Sequence, residues 1–254
     1  MSRYAPSTTQ MQFGPGPITQ AVRAILIASA AVFLLTLAWP GALYLLGVSP
    51  QAVIEEFALW QPLTYIFVHA GVWHLVFNML GIWMFGVELE RRWGTPEFTR
   101  FFLLCGIVAG LATVAVALLP IEAAWRTQSY AGVTVGASGA FYGIAYAWAR
   151  TFPHRTVLMM LVFPVPAKWF VLILIAMDFA IAASSRLTSG VSHVAHFAGL
   201  AAGYLYLNGG MGGGPGGLSA EIKYRYLRWK MNRLRKKFDV VEGGKKRQGP
   251  PWVH

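Results

Sequence analysis

Six apolar runs, most of them long enough to cross a bilayer, constrain this chain more than any other feature. A bilayer core takes about 20 mostly apolar residues in a helix. The runs lie at about Ile18–Trp39, Val68–Leu89, Phe98–Leu119 (closed by Pro120), Ser138–Arg150, Trp169–Ser185 and Val191–Leu207, with an apolar shoulder at Val157–Phe163 before the fifth. Charged residues make up only 12% of the 254, where a soluble domain carries roughly a quarter. That shortfall, with a mean hydropathy of +0.51, excludes an ordinary soluble enzyme, and 14% aromatic residues exclude a disordered chain. The single Cys105 lies in an apolar run and reads as a small core residue; it excludes an intrachain disulfide framework and a multi-Cys zinc cluster. The polar segment ahead of the first run has three Pro, and no Ala-x-Ala pattern follows the run, so it reads as a retained helix and not a cleaved signal. The expectation is an all-α membrane protein: a six-transmembrane-helix bundle with a short fourth helix.

The basic residues orient it. Six spans put both termini on one side. Arg3, Arg23, Arg91, Arg92, Arg100, Arg150, Arg155, Lys168 and a basic tail fall on that side, and only Arg126 and Arg186 on the other. The positive-inside rule makes both termini cytoplasmic and the loop at 41–67 external. The chain then divides into an N-terminal cytoplasmic tail (1–17), a six-helix core (18–208), a Gly-rich linker (209–217) and a basic cytoplasmic tail (218–254). That last segment holds eleven Lys/Arg and three acids. Ile222, Tyr226, Trp229, Leu234 and Phe238 among its basic residues suggest a C-terminal helix drawn to anionic lipid headgroups; a solvated helix that binds nothing is the equal alternative. A tail tethered to a membrane argues against a nucleic-acid partner.

Polar residues inside membrane spans are costly and mark function by default. The second span holds His69, His74 and Asn78, the fifth holds Asp178, and the sixth holds His193 and His196. The fourth opens on Gly136, Ala137, Ser138 and Gly139. A short helix behind a Gly-bearing loop hints at a cavity reaching into the bilayer, since irregular backbone is tolerated there only when buried in protein or lining water. Spans two, four and six all start externally, so His74, Asn78, Ser138 and His196 lie in outer halves and can converge. Gly139 and Gly143 on one helix and Gly199 and Gly203 on the other allow close approach.

Convergence supplies a nucleophile and a base. A serine hydroxyl attacks only when a neighbouring base takes its proton. The Asn78 amide, a His74 N–H and the Ser138 backbone N–H are available as oxyanion donors. No acid is obviously placed to orient the base, so a dyad is expected. His193 and His196 share a face at i, i+3, and spacing alone does not choose between them. Asp178 is expected to bond neighbours in the bundle, His69 to be structural, and Glu90 with Arg92 to form a cytoplasmic structural element.

Over most of residues 60–203 the sequence closely resembles the rhomboid family of intramembrane serine proteases. The resemblance rests on Trp60; on His69, His74 and Asn78; on Glu90 to Gly94, similar to a Glu-x-Arg-x-Gly element; on the Gly-x-Ser-Gly of Gly136–Gly139; and on the Ala-His-x-x-Gly-x-x-x-Gly of Ala195–Gly203. Gln61 follows Trp60 where some members carry Arg. The resemblance implies a rhomboid-like fold, Ser138 as nucleophile, His196 as general base, His74 and Asn78 as oxyanion donors, and Tyr142 packed beside the catalytic imidazole. Gly136, Gly139 and Gly199 belong to the active-site packing. It implies no metal and no cofactor. Its substrates would be single-pass transmembrane proteins, cut in or near their membrane segments.

Three other functions compete: a catalytically silent, rhomboid-like client-binding protein, a metal enzyme or transporter using His69, His74, His193 and His196, and a solute transporter. The first usually lacks the Ser or His kept here, the second lacks a His-Glu-x-x-His motif and an accompanying carboxylate, and the third lacks repeated halves. A short chain without a targeting extension suggests a bacterial inner membrane.

Overall fold

The computed structural model describes residues 14–119, 129–159, 163–184, 190–209 and 226–233. Outside them lie most of the expected N-terminal tail, the linker beyond its first residue, Pro120, Arg126 and Arg186. The long helices are α1 (Gln20–Ala38), α5 (Val72–Trp93), α6 (Thr95–Ala117), α7 (Ser138–Thr151), α8 (Ala167–Ser184) and α9 (Gly190–Asn208). Between α1 and α5 come three short helices, α2 (Gly41–Leu46), α3 (Pro50–Glu55) and α4 (Gln61–Thr64), the last running into a 3₁₀ turn at Tyr65–Phe67. Among the described residues three helices, α1, α5 and α6, are long and apolar enough to cross a membrane. Leu34, Phe77 and Phe179 point outward and exposed, as lipid-facing residues of a bundle do.

The second apolar run begins at Val68, yet α5 starts four residues later, after Gly71. His69 therefore precedes the helix instead of riding on it. The helix passes through a π turn at Ile82–Gly86 and ends where Gly94 adopts φ +86°. A side chain at that left-handed position is strained, so the glycine sets the sharp corner into α6. The shoulder at Val157–Phe163 is not an approach to a helix. It contributes to an antiparallel hairpin, β1 (Thr156–Met159) and β2 (Phe163–Pro166), in which Val157 pairs with Val165. Pro164 and Pro166 lack N–H donors and oppose helix formation there.

Glu90 forms no pair with Arg92. Its buried carboxylate, near the end of α5, reaches the start of α1 and accepts from the Ala21 N–H (2.8 Å), the Val22 N–H (3.0 Å), the Thr95 hydroxyl (2.7 Å) and the Thr19 hydroxyl. The first backbone N–H groups of a helix lack intrahelical acceptors, and a carboxylate there satisfies them and the helix dipole together. Arg92 instead lies over the Phe152 ring.

The centre of the bundle is α6, packed against α7 and α9. Phe98, Phe101, Phe102 and Cys105 are fully buried along it. Cys105 lies against Gly143 of α7, where an added Cβ would stand 2.6 Å from its sulfur. It is thus the small core residue the sequence suggested. Residues 226–233 of the basic tail are helical and exposed; the remainder of the expected C-terminal helix lies outside the described residues.

Candidate active site

Ser138 opens α7, and the segment before it is tied to the loop between α1 and α5. Thr134 and Val48 exchange two backbone hydrogen bonds of 2.9 Å, and the Gly136 N–H donates to the Tyr65 carbonyl at 3.0 Å. Tyr65 is anchored in turn by its hydroxyl, which donates to the Gly106 carbonyl of α6 (2.7 Å). Gly136 has φ +118°, and a Cβ there would lie 2.7 Å from Cε1 and Nε2 of His74 and 3.8 Å from the Ser138 Oγ. The missing side chain is therefore what lets the His74 imidazole lie against the backbone beside the serine.

From the other side comes α9. A Cβ on Gly199 would stand 1.9 Å from the Gly139 carbonyl oxygen, and one on Gly203 3.0 Å from the Gly143 Cα. Backbones this close bring side chains of α7 and α9 within hydrogen-bond reach. Nε2 of His196 lies 2.7 Å from Oγ of Ser138. The Tyr142 ring, one turn further along α7, stacks on the His196 imidazole at 4.5 Å and 8° from parallel.

The remaining polar residues divide. Asn78 is buried, and its amide donates to the His74 carbonyl one turn back (2.8 Å). An amide nitrogen carries two hydrogens, so one N–H remains for another acceptor. His69 is also buried, with Nδ1 3.2 Å from the Phe67 carbonyl and its ring edge-on to His74 at 5.1 Å.

One expectation is overturned. An acid does stand behind the imidazole: Asp178 of α8 places Oδ1 3.0 Å from Nδ1 of His196 and 2.8 Å from Nδ1 of His193. Asp178 does bond its neighbours, as its sequence position suggested, but those neighbours are the two candidate bases. Spacing along the chain could not place it, because it comes from a different helix 18 residues away. Its only sequence signal was a carboxylate in an apolar span. The same arrangement gives the histidines the accompanying carboxylate that the sequence was read as lacking. Asp178, His193 and His196 offer ligand atoms within 4.8 Å of one another and, among the described residues, are the group that could hold a metal ion. Both Nδ1 atoms already face Asp178, however, so a metal there would displace two hydrogen bonds.

Fold and site together define a helical membrane protein in which a close helix junction holds a half-buried serine against a half-buried imidazole. The Rhomboid domain family model matches residues 56–210, which takes in α4 to α9 and every residue of this site. The chain belongs to the rhomboid family. It is 30% identical to the mitochondrial Rhomboid protein 1 of Saccharomyces cerevisiae over 140 residues, covering 55% of this chain and 38% of that protein. It is 28% identical to Rhomboid protease GluP of Bacillus subtilis over 158 residues, covering 62% and 27%. It is 29% identical to Putative rhomboid protease YdcA of the same bacterium over 146 residues, covering 58% and 64%. The chain thus spans less than two thirds of the length of these relatives. At the level of the family, the activity is intramembrane proteolysis.

Proposed function

We propose that this chain is a serine endopeptidase that hydrolyses peptide bonds in or near the transmembrane segments of single-pass membrane proteins, with Ser138 as nucleophile and His196 as general base. The observation that carries the reading is the 2.7 Å hydrogen bond between the Ser138 Oγ and the His196 Nε2, made inside the bundle between two helices. As Oγ bonds to the scissile carbonyl carbon, its proton passes to Nε2 and the carbonyl π pair moves onto oxygen. His74, the free N–H of Asn78 and the Ser138 backbone N–H surround that oxygen with donors. Collapse of the intermediate breaks the C–N bond while Nε2 hands its proton to the leaving amine. Water then attacks the acyl-enzyme, giving a proton to Nε2, and the serine recovers it as the acid product leaves. Tyr142 holds the imidazole plane through this cycle by stacking. No step requires a metal or cofactor.

The same reading takes α1, α5, α6, α7, α8 and α9 as the six spans, with both termini on the basic, cytoplasmic side. The 14 residues of α7 are too few to cross alone. They place Ser138 below the outer surface, where the loop before it admits water. The basic composition of residues 218–254 suits that segment to anionic headgroups.

The test is cleavage of a single-span substrate in detergent by wild type, Ser138→Ala and His196→Ala, each with and without chelator. Cleavage by wild type alone, indifferent to chelator, is expected. Cleavage by Ser138→Ala would overturn the assignment. Silence from all three folded proteins, with no fluorophosphonate labelling of Ser138, would point to a client-binding role.

A further inference from the structure

We infer that Asp178 is a positioning residue for the hydrolysis, fixing the proton of His196 on Nδ1 so that Nε2 presents its lone pair to Ser138, and that His193 holds Asp178 in place to do so. The inference rests on the serine protease reading above. It was not foreseen in the sequence, where the site was expected to work as a dyad.

A neutral imidazole carries one hydrogen, and the partner of one ring nitrogen decides the state of the other. His196 has two partners with opposite demands. A carboxylate oxygen accepts and does not donate, so Asp178 Oδ1 at 3.0 Å draws the hydrogen to Nδ1. Nε2 is left as the acceptor facing Oγ at 2.7 Å, which is the tautomer a base needs. When Nε2 takes the serine proton, the ring becomes a cation, and the carboxylate behind it stabilises that charge without taking the proton itself.

His193 donates from Nδ1 to the same Oδ1 at 2.8 Å, with its ring perpendicular to that of His196. Two donors one helical turn apart on α9 therefore converge on one oxygen of α8 and fix its position. The other oxygen, Oδ2, is buried without a hydrogen-bond partner among the described residues. A carboxylate left half-satisfied inside an apolar bundle costs stability. Packing alone would favour an apolar side chain at this position, so the use of Asp178 lies in what Oδ1 does to His196.

The experiment compares Asp178→Asn with wild type, scoring kcat and KM separately on the single-span substrate. Asparagine keeps the shape but lets its amide face Nδ1 as a donor, driving the hydrogen to Nε2. The expected result is a fall in kcat of roughly a hundredfold to ten-thousandfold at unchanged KM, by analogy with the loss of an orienting acid elsewhere. A folded Asp178→Asn variant that cleaves at the wild-type rate, while Ser138→Ala and His196→Ala remain inactive, would overturn the positioning role and leave the dyad standing. Activity in Ser138→Ala would instead remove the underlying reading. If Asp178→Asn does not fold, nitrogen-15 NMR of histidine-labelled wild type, with His196 assigned by its loss in His196→Gln, decides the question. Hydrogen on Nδ1 supports the inference, and hydrogen on Nε2 overturns it. His193→Phe is expected to lower kcat by a smaller factor than Asp178→Asn, because Oδ1 keeps its bond to His196; an unchanged kcat would show that His193 does not hold Asp178 in place for the reaction.

Discussion

Gly199 faces Gly139 so closely that a single methyl group on Gly199 would stand 1.9 Å from the Gly139 carbonyl oxygen. Backbone is what it would meet, and backbone does not swing aside. Gly199→Ala must therefore push α9 away from α7, lengthening the contact between Ser138 and His196. The expected outcome is loss of cleavage together with a stability loss of about 1–3 kcal/mol or more, read from thermal unfolding in detergent. Gly71→Ser serves as the control. Nothing lies within 4 Å of a Cβ there, and serine is a better helix N-cap than glycine, so activity and stability should hold. A fully active Gly199→Ala would contradict this packing.

Asn78 offers a different kind of test, because its amide is already bonded to the His74 carbonyl at 2.8 Å. That bond aims the side chain and leaves its second N–H for a developing oxyanion. Asn78→Ala removes the donor and leaves the pair of Ser138 and His196 in place. A kcat lower by roughly 10²–10³-fold with little change in KM is expected, the usual cost of one oxyanion donor. A loss confined to KM would assign Asn78 to substrate binding instead.

How much of this was legible beforehand follows from which interactions are local in sequence. Helix α7 begins at Ser138 where the Gly-bearing motif said it should, and the facing glycines of α7 and α9 do meet. Both depend on residue size and helical period, which a sequence displays directly. The start of α5 was misplaced because hydropathy does not distinguish Val68 to Ala70 from the helix that follows; only the extended backbone at Gly71 does. Asp178 and Glu90 were seen as residues and missed as partners. Each reaches across to another helix, Asp178 to His196 and His193, and Glu90 to the first turn of α1. Crossings of that kind depend on helix rotation and depth, which no one-dimensional spacing fixes.

Gln61 stood out in the sequence only as a departure from the family pattern, yet the structure gives it a task. Its buried side chain donates to the Tyr44 carbonyl at 3.1 Å and accepts from the Ser49 N–H at 2.9 Å, joining the end of α2 to the start of α3. The loop it fastens is the one whose Val48 pairs with Thr134 ahead of the nucleophile. Gln61→Ala leaves the buried Ser49 N–H without its acceptor, at about 1–3 kcal/mol. Thermal unfolding should shift down. Cleavage at temperatures well below the transition should fall only partly, since no reacting group is touched. Unchanged unfolding would show that the loop does not depend on this side chain.

Glu90 makes the strongest stability prediction, because one carboxylate serves four donors from two segments. Replacing it with alanine strips the Ala21 and Val22 N–H groups at the start of α1 of their acceptor, inside protein where water is scarce. Loss of charge-assisted bonds to buried donors costs about 1.5–3 kcal/mol for each interaction of this type, though shared bonds add incompletely. Glu90→Gln keeps an acceptor oxygen for the backbone but loses the charge that complements the α1 dipole, so it should lie between wild type and Glu90→Ala. Because the carboxylate sits at the opposite end of α5 from His74, Ser138 should keep its reactivity in whatever fraction remains folded. Fluorophosphonate labelling against temperature separates the two effects: the Glu90 variants should lose labelling at lower temperature than wild type, but match its rate when cold. A reduced rate in the cold would mean that the α1–α5 junction also sets the geometry around the serine.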